Sequence, residues 1–149
     1  MNITIICVGK LKEKYWQDAA AEYLKRLSRF AKMNVIELAE SKSDDVAEES
    51  TAIIEHIPKG AYVVALDVGG KNLSSEGLAD FIAAKTVDGV SHICFIIGGS
   101  NGYNDSVRAA SDMRLSFSSF TFPHQLMRVI LLEQIYRAFK INAGEKYHK

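Results

Sequence analysis

Residues 2–8 read Asn-Ile-Thr-Ile-Ile-Cys-Val, a β-branched and almost unbroken apolar run. Side chains of a strand point alternately to opposite faces, so a run with no polar alternation needs cover on both sides. Helices laid on both faces of a parallel sheet supply that cover. Gly9 ends the run. Lys12 to Ser28 then follows a helical period, with Tyr15, Trp16, Ala19, Ala20, Tyr23, Leu24 and Leu27 on one face. The alternation continues along the chain. Met33–Leu38 reads as a second strand. Ser43 is a candidate cap for a helix ending near His56, and Pro58-Lys59-Gly60 breaks it. Ala61–Val68 is a third strand, with Gly69-Gly70-Lys71 as its exit loop. Ser74 begins a helix that reaches about Thr86. Ser91–Ile97 is a fourth strand, Asn104–Ala110 a short helix and Met113–Ser116 a fifth strand. Pro123 suits the first position of a last helix that runs to about Ile141, where Asn142-Ala143-Gly144 stops it. The reading is α/β: one domain over residues 1–149, with a mainly parallel sheet and helices on both faces.

Ligands of such sheets sit beyond the carboxyl ends of the strands. Three glycine- or hydroxyl-rich loops occupy those ends: Gly69–Lys71, Gly98–Gly102 and Phe117–Phe122. The last belongs to the stretch Leu115–Arg128, in which Phe117, Phe120 and Phe122 alternate with Ser118, Ser119 and Thr121 directly before a helix. An apolar loop of this kind is expected to be buried, and its backbone N–H and C=O groups then need partners. A flat ligand such as an adenine ring would supply them, with aromatic walls over its faces. The rival reading is that the three Phe side chains are core. Gly98-Gly99-Ser-Asn-Gly102 fits the dinucleotide fingerprint poorly, because its glycines are spaced G-G-x-x-G and follow the fourth strand. Either a tight turn or a close backbone approach to a ligand explains it. His124 and Arg128 stand one turn apart on one helix face and together suit a phosphate or a polar base. Asp67 is placed to pair with Lys71. The tail, Tyr147-His148-Lys149, is either frayed or functional.

Eighteen basic and eighteen acidic residues cancel, yet they are unevenly spread. Residues 1–32 and 123–149 are net basic, by four and three charges, and residues 33–122 are net acidic by seven. If the two ends meet in space, a basic face suited to nucleic acid exists despite the neutral total. No run approaches the ~20 apolar residues of a membrane span. The chain starts on a strand, with no signal-peptide pattern. Cys7 and Cys94 lie inside strands and read as buried free thiols of a reducing, cytoplasmic protein, and no metal-ligand spacing occurs.

These motifs together carry a resemblance. Gly98-Gly99-Ser-Asn-Gly102, the block Leu-Ser-Phe-Ser-Ser-Phe-Thr-Phe-Pro-His-Gln-Leu-Met-Arg, Glu133-Gln-Ile-Tyr136-Arg137 and the Tyr147-His148 tail resemble the small bacterial SPOUT-class methyltransferases. The similarity is to the family that methylates N3 of a pseudouridine in large-subunit (23S) ribosomal RNA. It extends to Val8-Gly9-Lys10-Leu11 and Leu66-Asp67-Val-Gly-Gly70, and only residues 39–57 lack a firm match. The resemblance implies a C-terminal deep trefoil knot and S-adenosyl-L-methionine as cofactor. It implies cofactor contacts at Leu66, Gly98, Phe117, Ser118, Ser119, Phe120, Thr121 and Phe122. It further implies a homodimer in which the tail of one protomer reaches the other's cofactor site, acting on ribosomal RNA, with the assembled ribosome as scaffold. No metal and no membrane are implied. His124, Arg128, Tyr147 and His148 are the catalytic candidates, with Arg128 and His148 expected to position the nucleotide. Two other classes compete: an oxidoreductase binding a nicotinamide dinucleotide, and a non-catalytic ribosome-binding protein with a degenerate site.

Overall fold

The computed structural model describes residues 1–149. Five strands and five helices alternate: β1 (Asn2–Val8), α1 (Lys14–Leu27), β2 (Lys32–Leu38), α2 (Val46–His56), β3 (Tyr62–Asn72), α3 (Ser75–Val87), β4 (His92–Ile97), α4 (Asp105–Ala110), β5 (Met113–Ser116) and α5 (His124–Asn142). The sheet order is β2-β1-β4-β3-β5, and every pairing is parallel. The apolar run that opens the chain is hydrogen-bonded on both edges, to β2 and to β4. Both of its faces are covered, as its composition demands. Ile3, Ile5 and Cys7 join the core formed with α1, α3 and α5, while Ile6 and Val8 join the core under α2 and α4.

The face each helix takes follows from handedness. Parallel crossovers are right-handed, so connections running one way along the sheet lie on one face and those running back lie on the other. β1 to β2 and β3 to β4 run the same way, and α1 and α3 share a face. β2 to β3 and β4 to β5 run the opposite way, and α2 and α4 share the other face. After β5 the chain returns to the first face, where α5 packs against both α1 and α3. The basic N- and C-terminal segments therefore do meet. Much of their charge is already matched, through Arg26–Glu22, Arg137–Glu133, and Glu145 with both Arg29 and Lys140.

Three local expectations are corrected. Asp45, not Ser43, caps α2, because its carboxylate accepts from the N–H groups of Ala47 and Glu48. Ser43 instead donates its own N–H to the Ser41 hydroxyl. Pro123 is the cap residue of α5, and His124 takes the first helical position. Gly69-Gly70-Lys71 is not a simple exit loop. β3 continues to Asn72, and Leu66 and Lys71 both register with Leu115 of β5, so residues 67–70 form an excursion from a strand that resumes beyond it. No helix is long and apolar enough to cross a membrane.

Candidate active site

The carboxyl ends of β3, β4 and β5 open onto a cavity of about 240 Å³. Leu66, Asp67 and Val68 form its β3 side. Ile97 and the turn Gly98-Gly99-Ser100 form the β4 side, with Gly102 and Tyr103. Leu115 and Ser116 lead from β5 into the loop, which contributes Phe117, Ser118, Phe120, Thr121 and Phe122; His124 and Met127 of α5 close the wall. The structure thus gathers Leu66, Gly98, five of the six loop positions 117–122 and His124 around one space. Ser119 is exposed and outside the lining.

The loop is less buried than its composition suggests. Phe120 is 76% exposed, and Val68 across the mouth is 58% exposed, so the cavity entrance is apolar and open. The loop shapes itself by local bonds: the Ser116 hydroxyl donates to the Ser118 carbonyl, and the Phe120 N–H donates to the Ser118 hydroxyl. On the β4 side both readings of the glycine turn hold together. The Gly102 N–H donates to the Gly99 carbonyl at 2.9 Å, making a tight turn, and that turn is itself the wall. A Cβ on Gly98 would lie 2.8 Å from the Gly102 carbonyl carbon, so glycine here lets backbone approach backbone.

The polar rim is built on Asp67. Its carboxylate accepts from the Gly69 N–H at 2.9 Å, from Arg108 at 3.0 Å and from Arg114 at 3.4 Å. These arginines, not Lys71, are its partners. Burial alone would raise the Asp67 pKa, but the Gly69 N–H and the two guanidinium groups outweigh it and hold the carboxyl below the usual range. The Tyr103 hydroxyl donates to the Leu66 carbonyl at 2.8 Å, and burial beside Asp67 pushes its pKa up, so it stays a neutral donor. Burial likewise raises the thiols of Cys7 and Cys94, to about 11 and about 12, as expected of inert core cysteines.

The remaining candidates stand elsewhere. Arg128 is 2% exposed and off the cavity wall. Its guanidinium pairs with Glu37 and donates to the Gly9 carbonyl at 2.7 Å, so the group expected to position the nucleotide is engaged within its own chain. The tail is not frayed. Tyr147 donates its hydroxyl to Glu133 at 3.0 Å, lies edge-on to Tyr136 and sits under the Arg137 guanidinium. His148 bridges Arg137 and Glu76. Both tail residues therefore rest on α5 and α3 of their own chain, away from their own cavity. Tyr103 escaped sequence reading, although its place directly after Gly102 was a usable signal. Glu40 escaped too, and it lies in the segment with the weakest motif content.

A concave site with apolar walls, backbone groups on two turns and a few fixed polar atoms suits a small ligand with one flat apolar part. A family model described as a predicted SPOUT methyltransferase matches residues 1–148. The chain belongs to the SPOUT methyltransferase family. Among curated relatives of this SPOUT chain, a ribosomal RNA large subunit methyltransferase H from Bifidobacterium animalis subsp. lactis is 56% identical, with both chains covered in full. The protein of the same name from Clostridium novyi is 54% identical, again with full coverage of both chains. A probable methylase family protein of known structure from Haemophilus influenzae Rd KW20 superposes with a TM-score of 0.58 over 99% of this chain and 70% of that one. At 11% identity that similarity speaks for the fold alone. The fold and the methyltransferase assignment thus agree with the expectation drawn from the motifs.

Proposed function

We propose that this protein uses S-adenosyl-L-methionine to methylate N3 of a pseudouridine in 23S ribosomal RNA. It acts in the cytoplasm, on the assembled ribosome, as a homodimer of one-domain chains whose C-terminal part is threaded as a deep trefoil knot. The single observation that carries the reading is the cavity where the β3, β4 and β5 ends converge. Two full-length relatives named for large-subunit ribosomal RNA methylation support the substrate.

The residues present fit the cofactor. The Gly98–Gly102 turn and the Phe117–Phe122 loop would hold a base edge by those backbone groups that their own local bonds leave free, with Phe117 and Phe122 as apolar cover. His124 stands on the same wall. At about 240 Å³ the cavity is below the ~300 Å³ lower end for pockets that enclose such ligands. A bent ligand reaching the mouth, closed by a second surface, accounts for the shortfall. The cofactor supplies an electrophilic methyl group on sulfur; the chain's task is to align the acceptor nitrogen in line with it and to accept the N3 proton.

The second surface is a partner copy. Leu126, Val129 and Ile130 are half-buried along α5, and Phe120 and Val68 are exposed at the cavity mouth. Antiparallel packing of α5 across a two-fold axis would bring the partner's tail towards this chain's cavity. Each site then becomes composite, with Tyr147 and His148 contributed in trans.

Calorimetric titration with S-adenosylmethionine, and separately with NAD, tests the cofactor. Nucleoside mass spectrometry of ribosomes lacking the modification tests the reaction. Heat with S-adenosylmethionine alone and a methylpseudouridine product are expected. Heat with NAD, or binding without product, would overturn the reading.

A further inference from the structure

Gly9 follows β1 with φ +93°, a conformation that L side chains rarely adopt. It also leaves a space. A Cβ there would lie 2.8 Å from Glu40 Oε1 and 3.3 Å from Glu40 Cδ, so the carboxylate lodges where a side chain is missing. From that slot Glu40 Oε1 stands 3.5 Å from His124 Nε2. This nitrogen is shut off from solvent and has no hydrogen-bond partner. His124 itself lines the cavity described above. Arg128, one turn further along α5, holds the slot in place by donating to the Gly9 carbonyl while it pairs with Glu37.

We propose that His124 accepts the proton released in methyl transfer and that Glu40, seated in the Gly9 slot, is its positioning residue. The inference rests on the methyltransferase reading above. A neutral imidazole with its proton on Nε2 faces the Glu40 carboxylate with a donor and keeps a lone pair on Nδ1. At 3.5 Å that bond is long, and contacts of this kind tighten when substrate fills the site. In the transfer the acceptor N–H bond breaks and its electrons form the new N–CH₃ bond. The S–CH₃ electrons return to sulfur, which becomes a neutral thioether. The proton passes to Nδ1, and the Glu40 carboxylate balances the imidazolium charge. Arg128 then has a role although it touches no ligand: it fixes the backbone that shapes the Glu40 slot.

Several charged groups surround this ring. Glu40 approaches from the β2–α2 connection. Arg128 and Glu37 form their pair on α5 and β2, and Lys10 and Lys12 of the β1–α1 connection line an adjoining hollow with Glu37 and Glu40. Asp67 shares the cavity from the β3 side, already tied to two arginines. Among these, Glu40 is the carboxylate in reach of Nε2.

The test compares wild type with Glu40→Gln, Glu40→Asp and His124→Gln. Melting temperature establishes the fold, calorimetry gives S-adenosylmethionine affinity, and methyl transfer to unmodified ribosomes is followed against pH. Glu40→Gln is expected to bind the cofactor within about twofold of wild type and to lose on the order of 10- to 10⁴-fold in kcat, between the loss for a carboxylate orienting a metal-bound histidine and that for one orienting a catalytic histidine. Its pH–rate profile departs from that of wild type. Glu40→Asp recovers part of kcat. His124→Gln loses on the order of 10²- to 10⁴-fold and flattens the acid limb. A wild-type pH profile and rate in Glu40→Gln would overturn the dyad alone. A loss of rate wholly matched by lost cofactor affinity would do the same, reducing Glu40 to a structural part. A wild-type protein that transfers no methyl group would instead overturn the functional reading, and this inference with it.

Discussion

Replacing Gly98 with alanine introduces one methyl group at the point where two backbone segments touch. Built on this backbone, the new Cβ lies 2.8 Å from the Gly102 carbonyl carbon, 2.9 Å from its oxygen and 3.1 Å from its Cα. None of these atoms is the free end of a flexible side chain. The Gly98–Gly102 turn must move as a unit, and the Gly102–Gly99 hydrogen bond and the Tyr103 bond to Leu66 resist that movement. Overpacking of this kind costs about 1–3 kcal/mol. For a chain of this size that corresponds to a melting temperature lower by roughly 2–12 °C. Because the same turn is a cavity wall, S-adenosylmethionine affinity should fall as well. The assay is thermal unfolding with and without cofactor, with Gly60→Ala as a comparison, since a Cβ there meets nothing within 4 Å and only its φ of +79° is strained. The structure changes what this experiment means: weaker binding in Gly98→Ala reports a displaced wall and not a methyl group in the ligand's own space. A variant that melts like wild type would refute the argument that the turn is rigid.

Two further outcomes follow from contacts around the site. Asp67 has a folded pKa below its unfolded value, so its contribution to stability is present above the ordinary Asp value of about 3.9 and is lost as pH falls through the folded one. Asp67→Asn should therefore be less stable than wild type near neutral pH in urea melts, with the gap closing in acid; a gap independent of pH would sink the argument. Deleting Tyr147–Lys149 removes the edge-on contact with Tyr136, the Arg137 contact and the bond to Glu133. It should cost about 1–3 kcal/mol in denaturant titration besides abolishing methyl transfer. A truncated chain of unchanged stability would show that the tail does not rest on α5.

Much of the cavity wall was readable from local composition, because its β4 and β5 parts are a contiguous turn and loop. The Gly98–Gly102 turn and the Phe117–Phe122 loop announced themselves by glycine, aromatic or hydroxyl content after an apolar run, whereas Leu66 came only from the family resemblance. Ser119 lies exposed outside the cavity lining, and alternation along a loop does not say which side chain faces inward. Arg128 shows the opposite limit. Its spacing from His124 places both on one helix face, but helical period cannot say that β1 and β2 lie beneath that face, with the Gly9 carbonyl and Glu37 already waiting. The tail raises the same difficulty, because its partners Glu133, Arg137 and Glu76 lie 11 to 72 positions away in the chain.

By itself the sequence determined the α/β class, the sequence of elements and the site's end of the sheet. These follow from hydrophobic period, from β-branched runs with no polar face, and from glycine and proline at element ends, all of them local properties. Tertiary structure alone decided the strand order, the excursion at residues 67–70, the pairing of Asp67 with Arg108 and Arg114, and the meeting of Gly9, Glu40 and His124. Those contacts join segments separated by up to more than a hundred residues, and they are fixed by which helix covers which face once right-handed crossovers have been satisfied. Glu40 sits in the stretch with the weakest motif, and it gains a chemical role only because folding places the backbone of one glycine beside it.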